Sequence, residues 1–311
     1  MRAFIFPGQG SQKVGMGVEI SQLPAARLVF EEVDEALSQN LFSIMRDGPE
    51  QDLTLTENAQ PAIMANAMAT LRVLEIEFGI SLAENAGCVA GHSLGEYTAL
   101  CSVGAFNLTE TARLLKLRGK AMQEAVPVGV GAMAALLGAD LDKATALVAK
   151  AAEEDVCEVA NDNDPTQVVI SGHKSAINRA VDMAKEFGIK RGVILPVSAP
   201  FHCSLMQAAA NQMSVALDKT KPRPLELPIF ANFTASKVQD ADEVQDLLVN
   251  QVTGRVRWRE SIIAMHNCGF DDFVELGGKV LGPMVSRTEK NVRVRNLDTI
   301  GSLEGFAREI G

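Results

Sequence analysis

Short apolar runs alternate along this chain with longer segments of helical periodicity. Residues 3 to 6 form one such run, and residues 86 to 90 are small and apolar, as at the end of a buried strand. Between them, residues 62 to 78 carry apolar side chains at helical spacing, and residues 94 to 105 are mostly small or apolar. Strands alternating with helices in this way are typical of an α/β fold with a parallel sheet.

The remaining pattern extends this alternation on both sides of the middle of the chain. Helical patterns cover residues 24 to 46, and Thr109, with Glu110 behind it, is predicted to cap a helix that runs through Met122. Later strands are predicted at residues 229 to 232, 272 to 275 and 292 to 296, with helices near 203 to 217, 244 to 248 and 258 to 266.

In the middle of the chain, the predicted elements follow a different order, which is β-α-β-β-α-β. They are predicted at residues 128 to 138, 141 to 152, 157 to 161, 167 to 171, 174 to 187 and 193 to 197. That order is typical of a ferredoxin-like domain. Residues 126 to 127 and 197 to 200 bracket it as predicted hinges. We therefore expect a small inserted domain at 127–198 and a large domain formed by 1–126 and 199–311.

Composition narrows the class of protein. The chain has 311 residues, 47% of them hydrophobic and 22% charged, which is ordinary for an enzyme that folds around a full core. Its net charge of −10 argues against nucleic-acid binding. The five cysteines are scattered without a C-x-x-C pair, no signal segment is seen, and no apolar run reaches the roughly 20 residues of a membrane span. We expect a cytoplasmic protein.

Residues 91 to 95, Gly-His-Ser-Leu-Gly, fit the pattern G-x-S-x-G between a predicted strand and a predicted helix. In that pattern the serine lies on a strained turn, and the glycines are needed because neighbouring backbone lies too close for a Cβ. The turn would present the Ser93 hydroxyl beside the first backbone N–H groups of the helix, which can stabilise an oxyanion. The pattern alone leaves open a glycine-rich turn whose serine only caps the helix.

The loop after the first predicted strand, residues 7 to 12, is also rich in glycine. A dinucleotide-binding G-x-G-x-x-G motif beginning at Gly8 would need a glycine at position 13, which is Lys13. No acidic strand end follows at the required distance, because residues 28 to 37 are predicted to be helical. The loop is therefore predicted to lie at the carboxyl end of a strand, where α/β folds place their ligands.

A nucleophilic serine needs a general base within hydrogen-bond distance, and histidine suits neutral pH. His92 lies inside the turn, and its side chain is expected to point away from that of Ser93. His173 falls in a polar loop, and His266 lies late in a helix as an expected exposed cap. His202 lies where the chain leaves the predicted inserted domain, and domain junctions are where clefts form. Position therefore favours His202, with a structural histidine as the alternative.

Six short segments are informative as motifs when they are taken together. They are residues 6 to 12 (Phe-Pro-Gly-Gln-Gly-Ser-Gln), 91 to 97 (Gly-His-Ser-Leu-Gly-Glu-Tyr), 117 to 119 (Leu-Arg-Gly), 163 to 165 (Asn-Asp-Pro), 167 to 172 (Gln-Val-Val-Ile-Ser-Gly) and 200 to 202 (Pro-Phe-His). In this order they resemble the malonyl-CoA:acyl carrier protein transacylases, the acyltransferases of fatty-acid synthesis. The resemblance covers essentially the whole chain and implies an α/β-hydrolase-like large domain with a ferredoxin-like insertion.

The resemblance also implies roles for individual residues. Ser93 would be the nucleophile and His202 its base and later its acid, while Gln9 and Leu94 would form the oxyanion hole through their backbone N–H groups. Arg118 would hold the malonyl carboxylate, to which a guanidinium offers two parallel donors. Without the resemblance, an arginine on an amphipathic helix is more often a solvated charge.

Further positions follow from the same resemblance. A main-chain carbonyl near residues 250 to 251, assigned to Gln251, would orient the histidine in place of an aspartate. Asn163 and Phe201 are expected to contact substrate, and Phe201 would narrow the pocket, with hinge packing as its alternative role. Residues 276 to 279, Leu-Gly-Gly-Lys, depart from the Gly-Pro-Gly of many relatives, which puts only local loop geometry in doubt.

The implied reaction is ping-pong transfer from malonyl-CoA to the pantetheine thiol of acyl carrier protein, with no metal or tightly bound cofactor. Because acyl carrier proteins are acidic like this chain, we expect a basic docking patch near the site, with Lys190, Arg191 and Arg287 as candidates and solvated charges as the alternative. A monomer is expected. Three other functions stay open: a serine hydrolase such as a thioesterase, a polyketide-dedicated acyltransferase, and a non-catalytic binding module.

Overall fold

The structure, a computed structural model, describes residues 1–197 and 199–310. Ser198, in the second predicted hinge, and Gly311, at the end of the predicted large domain, lie outside the described residues.

The strands, in chain order, fall into two sheets. They are β1 (Arg2–Phe6), β2 (Cys88–Gly91), β3 (Gly131–Leu137), β4 (Cys157–Asp164), β5 (Gln167–His173), β6 (Arg191–Ile194), β7 (Ile229–Phe230), β8 (Lys237–Val238), β9 (Asp272–Leu276) and β10 (Arg293–Leu297).

Most of the helices lie between these strands along the chain, and α14 follows the last strand. They are α1 (Pro24–Leu37), α2 (Leu41–Asp47), α3 (Glu50–Thr54), α4 (Thr56–Ile76), α5 (Leu82–Asn85), α6 (Leu94–Ser102), α7 (Leu108–Glu124), α8 (Leu141–Ala152), α9 (Lys174–Met183), α10 (Gln207–Lys219), α11 (Ala241–Thr253), α12 (Trp258–Asn267), α13 (Leu281–Thr288) and α14 (Ile300–Ile310). Short 3-10 turns lie at Ile20–Gln22, Ala184–Phe187 and Ser204–Met206.

The six-stranded sheet has the order β10-β9-β1-β2-β7-β8, parallel except for β8. Its central strand β1 is apolar on both faces, and residues 3 to 6 are fully buried, as expected of a parallel strand covered by helices. In the register, Phe6 pairs with Gly91 on β2 and Ile5 with Glu275 on β9. The carboxyl ends of these strands therefore meet at one edge, and the predicted mixed α/β fold with a parallel sheet is confirmed.

The four-stranded sheet has the order β4-β5-β3-β6 with antiparallel neighbours. Helices α8 and α9 pack on one face and share a separate hydrophobic core with it, where Leu147 and Ile177 meet Leu136 and Ile170. The strands all come from the segment predicted to be inserted. Below, this part is called the four-stranded unit, and the rest the six-stranded unit.

Two kinds of contact join the units. Along the backbone, Val256 donates to Ala160 O at 2.8 Å and accepts from the N–H of Asp162 at 2.9 Å. The side chain of Asp162 is fully buried and pairs with Arg259 at 2.9 Å. Asp164, equally buried, pairs with Arg287 at 2.8 Å. Removing one member of such a pair leaves a buried charge without its partner, so these contacts fix the units against each other.

Two predicted helix starts are wrong. Helix α7 is capped by Asn107 rather than Thr109: the Asn107 side chain accepts from the N–H of Glu110 at 2.8 Å, and the Glu110 carboxylate accepts from the N–H of Asn107 at 2.9 Å. Helix α4 begins at Thr56 instead of residue 62, with Pro61 inside it. Nearly every residue of α4 is buried, so tertiary packing outweighs the lost hydrogen bond of the proline.

Among the described residues, none of the helices is both long enough and apolar enough to cross a membrane.

Candidate active site

Ser93 lies at the turn between β2 and α6, at the carboxyl edge of the six-stranded sheet. Its backbone has φ 54° and ψ −111°, a conformation that an L-residue adopts only under strain. A Cβ on Gly91 would lie 1.9 Å from Gly95 O, and a Cβ on Gly95 would lie 2.2 Å from Phe6 O. Glycine is therefore required at both positions, as the G-x-S-x-G pattern predicted.

The Ser93 hydroxyl lies 2.8 Å from Nε2 of His202. The other ring nitrogen, Nδ1, lies 2.8 Å from the main-chain O of Gln251. A carbonyl can only accept, so Nδ1 carries the proton and Nε2 is left as the acceptor facing Ser93. Burial, together with the charge of Arg118, lowers the pKa of His202 to about 3, which keeps the imidazole neutral and able to accept a proton.

Arg118, on α7, also contacts the Ser93 hydroxyl. It is only 1% exposed, so the interpretation as a solvated charge is wrong. Its guanidinium donates to the Ser93 hydroxyl at 3.2 Å, to Oε1 of Gln251 at 2.8 Å and to Oε1 of Gln60 at 2.9 Å. These acceptors are neutral, so a buried cation faces the serine without a carboxylate in direct contact.

Two polar residues that the sequence analysis missed complete the network. Asn232, after β7, accepts from the N–H of Ser93 at 2.7 Å and donates to Gly91 O at 2.7 Å. Glu96, on α6, accepts from the N–H of Asn232 at 3.0 Å and from the side-chain amide of Gln251 at 2.8 Å. Burial raises the pKa of Glu96 to about 7, against these hydrogen bonds and the nearby Arg118.

A cavity of about 330 Å³ opens onto Ser93 between the two units. Gln9, Asn163 and Phe201 line it, as do Arg118 and His202. Apolar residues from both units form much of the remaining wall, among them Met122, Met133, Ala135, Val169, Leu195 and Met284.

Leu94, the remaining member of the predicted oxyanion hole, is the first residue of α6 and directly follows the serine. Its side chain is buried. As the first residue of a helix, its N–H has no partner within the helix. The predicted oxyanion hole consists of this N–H group and that of Gln9, which lies in the loop after β1.

The other histidines differ in part from expectation. The Nε2 of His92 lies 2.8 Å from Oδ1 of Asn163, and its ring borders the cavity. It links the serine turn to the four-stranded unit, a contact across units that no local pattern reveals. His173 ends β5 half-buried, where its Nδ1 accepts from the N–H of Val156. His266, half-buried in the last turn of α12, lies 3.9 Å from Glu289.

The three candidate docking residues differ in their exposure and in their contacts. Lys190 and Arg191 are exposed, just before and at the first residue of β6, whereas the part of this segment that lines the cavity is Leu195 to Val197, after the end of that strand. Arg287 is paired with the buried Asp164 and thus serves the contact between the units.

Within residues 1–197 and 199–310, no cluster of three or more His, Cys, Asp and Glu side chains is arranged to hold a metal ion.

A serine held against a neutral histidine, at a strand-to-helix turn of a parallel sheet, is the arrangement of an enzyme that works through a serine nucleophile. Comparison with known protein families identifies the family to which this chain belongs. The model of the acyl transferase domain family matches residues 3–297, and the chain belongs to that family.

Particular relatives are similar over nearly their full length. The malonyl CoA-acyl carrier protein transacylase of Bacillus subtilis (strain 168) is 40% identical over 94% of this chain and 91% of that protein. The crystal structure of the acyl-carrier-protein-S-malonyltransferase from Bartonella henselae has 48% identity and a TM-score of 0.96, covering 99% and 98% of the two chains. A malonyl-transacylase in complex with its type II PKS acyl-carrier protein has 34% identity and a TM-score of 0.95, covering 99% of each chain.

Proposed function

We propose that this chain transfers the malonyl group from malonyl-CoA to the phosphopantetheine thiol of acyl carrier protein, feeding fatty-acid biosynthesis. The observation that carries the proposal is the meeting of three side chains in one cavity: the Ser93 hydroxyl lies 2.8 Å from the base His202 and 3.2 Å from the buried Arg118. The names of the relatives support the same substrate pair, and each match covers nearly the full length of this chain and of the relative.

In the first half-reaction, Ser93 Oγ attacks the thioester carbon of malonyl-CoA while His202 Nε2 takes the hydroxyl proton. Gln251 O holds the Nδ1 proton and so keeps the required tautomer. The tetrahedral oxyanion is stabilised by the backbone N–H groups of Leu94 and Gln9. When the C–S bond breaks, His202 returns the proton to the CoA thiolate, and the malonyl ester stays on Ser93.

The second half-reaction reverses these steps with a new thiol. The pantetheine thiol of the carrier protein gives its proton to His202 and attacks the ester carbon, and the proton then passes to Ser93 as the C–O bond breaks. Atoms and charge balance without an additional reactant. The ping-pong order follows, because the two thiols use the same position beside His202.

Arg118 gives the site its preference for a dicarboxylic acyl group. A buried guanidinium that has only neutral acceptors in direct contact is matched by the malonyl carboxylate, which accepts two parallel hydrogen bonds. Phe201 and Asn163, both on the cavity wall, contact the bound acyl group in this proposal.

The domain division of the sequence analysis belongs to the same proposal. We infer an α/β-hydrolase-like large domain from 1–126 and 199–311, and an inserted ferredoxin-like domain from 127–198. The strand order β4-β5-β3-β6 and the separate core of the four-stranded unit support the inserted domain. The monomeric state and the cytoplasmic location stay predictions.

Mass spectrometry after incubation with malonyl-CoA tests the proposal. Wild type is expected to gain one malonyl group on the peptide that contains Ser93, and Ser93→Ala is expected to gain none. Ser102→Ala is the matched control, because Ser102 lies at the far end of the same helix and only donates to Ala99 O. An adduct of equal yield on Ser93→Ala would overturn the assignment of the nucleophile.

The serine hydrolase alternative is separated by the fate of the acyl group. Transfer predicts a stable adduct that disappears when acyl carrier protein is added, whereas hydrolysis predicts release of malonate without it. The polyketide alternative is kept because one similar structure is a malonyl-transacylase with a type II PKS carrier protein. Parallel assays with carrier proteins of both pathways decide between them.

A further inference from the structure

Glu96 is a buried acid that the steps above leave without a role. It is 1% exposed, on the first turn of α6, three residues after the proposed nucleophile. An ionisable group is almost never fully buried unless it is paired, and a buried carboxylate is costly in free energy. Its position behind the serine and the histidine therefore calls for a physical reason.

Asn232 and Gln251 connect Glu96 to Ser93 and His202. Oε2 of Glu96 accepts from the N–H of Asn232, whose side chain accepts from the N–H of Ser93. The same oxygen accepts from Nε2 of Gln251, whose main-chain O faces Nδ1 of His202. One carboxylate oxygen thus fixes the supports of both the nucleophile and the base.

Gln251 also brings Arg118 into this network. Its side-chain Oε1 accepts from Arg118 at 2.8 Å while its Nε2 donates to Glu96 at 2.8 Å, so one amide lies between the buried cation and the buried acid. The orientation of that amide is set by its two charged neighbours, because only the oxygen can accept and only the nitrogen can donate.

We infer that Glu96 is a positioning residue for acyl transfer: through Gln251 and Asn232 its carboxylate holds His202 and the Ser93 turn in place and stabilises the imidazolium formed during the reaction. The inference rests on the proposed function. In this arrangement, the acid that a Ser-His-acid triad places against the histidine lies one residue further away: Glu96 contacts the side-chain amide of Gln251, and the main-chain carbonyl of Gln251 contacts the histidine.

The ionisation of Glu96 gives a distinctive signal. Its pKa is raised to about 7 by burial, and the charged or titratable groups around it are Arg118 on α7, Tyr97 on its own helix, and His202 beyond Gln251. The pKa of His202, lowered to about 3, keeps that group neutral from pH 5.5 to 8. Protonation of Glu96 therefore removes the negative charge as pH falls through about 7.

The test is the pH dependence of kcat/KM for acylation by malonyl-CoA, which reports the free enzyme. Wild type is expected to lose activity as pH falls from 8 to 5.5. Glu96→Gln keeps a hydrogen-bond acceptor of the same shape without the charge, and its rate is expected to be independent of pH over this range. At pH 8 it should lie roughly 10- to 100-fold below wild type, by analogy with the loss of the outer partners that orient metal ligands. At pH 5.5 the two should converge.

Glu275→Gln is the matched control, because Glu275 is also a buried acid. It accepts from the backbone N–H groups of Val280, Leu281 and Gly282 and so caps α13. The substitution is expected to lower the free energy of unfolding while the shape of the pH profile stays as in wild type. A merely structural role for Glu96 would give this same result.

The outcomes are distinct. A wild-type profile without a fall between pH 8 and 5.5 overturns the inference, even if Glu96→Gln does not fold. So does a Glu96→Gln profile that keeps the fall. Wild type that forms no malonyl adduct overturns the proposed function, and the inference with it.

Discussion

At the scale of the residue, the most consequential feature is that a full positive charge is buried beside the serine. Arg118 is held by the amides of Gln60 and Gln251, which neutralise no charge. The carboxylate of Glu96 lies one amide away, behind Gln251, so a carboxylate that enters beside Arg118 satisfies the buried charge better than a neutral acyl group does.

This predicts an inverted preference in Arg118→Ala. Removing one member of a buried pair costs roughly 3–5 kcal/mol, so kcat/KM for malonyl-CoA should fall by roughly 150- to 5,000-fold. For acetyl-CoA, which has no carboxylate, it should stay unchanged or rise. The control is Arg113→Ala, since Arg113 is exposed on the same helix. An equal fall for both substrates would mean that Arg118 supports the fold or binds the CoA phosphates.

Sequence alone identified the residues that carry local signatures. Ser93 was a candidate through its flanking glycines and His202 through its place at a predicted domain junction, the resemblance assigned their roles, and the structure brings the two side chains together. Glu96 was missed although it directly follows the second glycine of the pattern, because nothing local says that its side chain turns inward. Asn232 and Gln60 were missed because their roles depend on contacts with residues more than fifty positions away.

At the scale of the element, the approach of α6 to β1 places the serine. The helix starts so close to the strand that Gly95 lies against the main-chain oxygens of Phe6 and Pro7. The strand end and the glycine-rich loop after it could be predicted from the sequence, because apolar runs and glycines are local. Strand order could not, because β1 pairs with a strand near residue 90 and with another near residue 274.

Gly95→Ala tests this close approach. The new Cβ would lie 2.2 Å from Phe6 O and 2.8 Å from Pro7 O, so helix and strand must separate. Unfolding in urea should show a loss of about 1–3 kcal/mol, and the acylation rate should fall because Ser93 moves with the helix. Gly305→Ala in α14 is the control: a Cβ there meets nothing within 4 Å, and the protein should become more stable by roughly 0.5–1 kcal/mol. A harmless Gly95→Ala would contradict the packing argument.

At the scale of the whole molecule, the cavity belongs to neither unit alone. The six-stranded unit supplies Ser93, His202 and Arg118, and the four-stranded unit supplies much of the remaining wall. The order of the predicted elements in the middle of the chain, with the predicted hinges on either side, indicated two parts. That order could not predict the bridge through Val256 or the buried pairs of Asp162 and Asp164, since these depend on how the parts meet.

The docking of the carrier protein is tested by Lys190→Glu with Arg191→Glu. Both side chains are exposed, and surface charges act mainly on encounter rates. Transfer from malonyl-enzyme to carrier protein should slow by roughly tenfold at low salt, with a smaller effect at high salt, while self-acylation by malonyl-CoA is unchanged. Lys150→Glu with Lys185→Glu alters the net charge equally at other exposed positions of this unit and should have less effect. Equal loss in both half-reactions would argue against docking.

The strained turn has a practical consequence for protein engineering. Ser93 has φ 54° and His202 has φ 59°, values that glycine adopts without cost and other residues adopt at a cost of about 1–3 kcal/mol. Any automated redesign that scores folding energy on this backbone will therefore favour glycine at both proposed catalytic positions. A thermostability screen that does not select for turnover would also favour glycine at these positions, and it would yield more stable but inactive proteins. Both codons should be held fixed in such libraries.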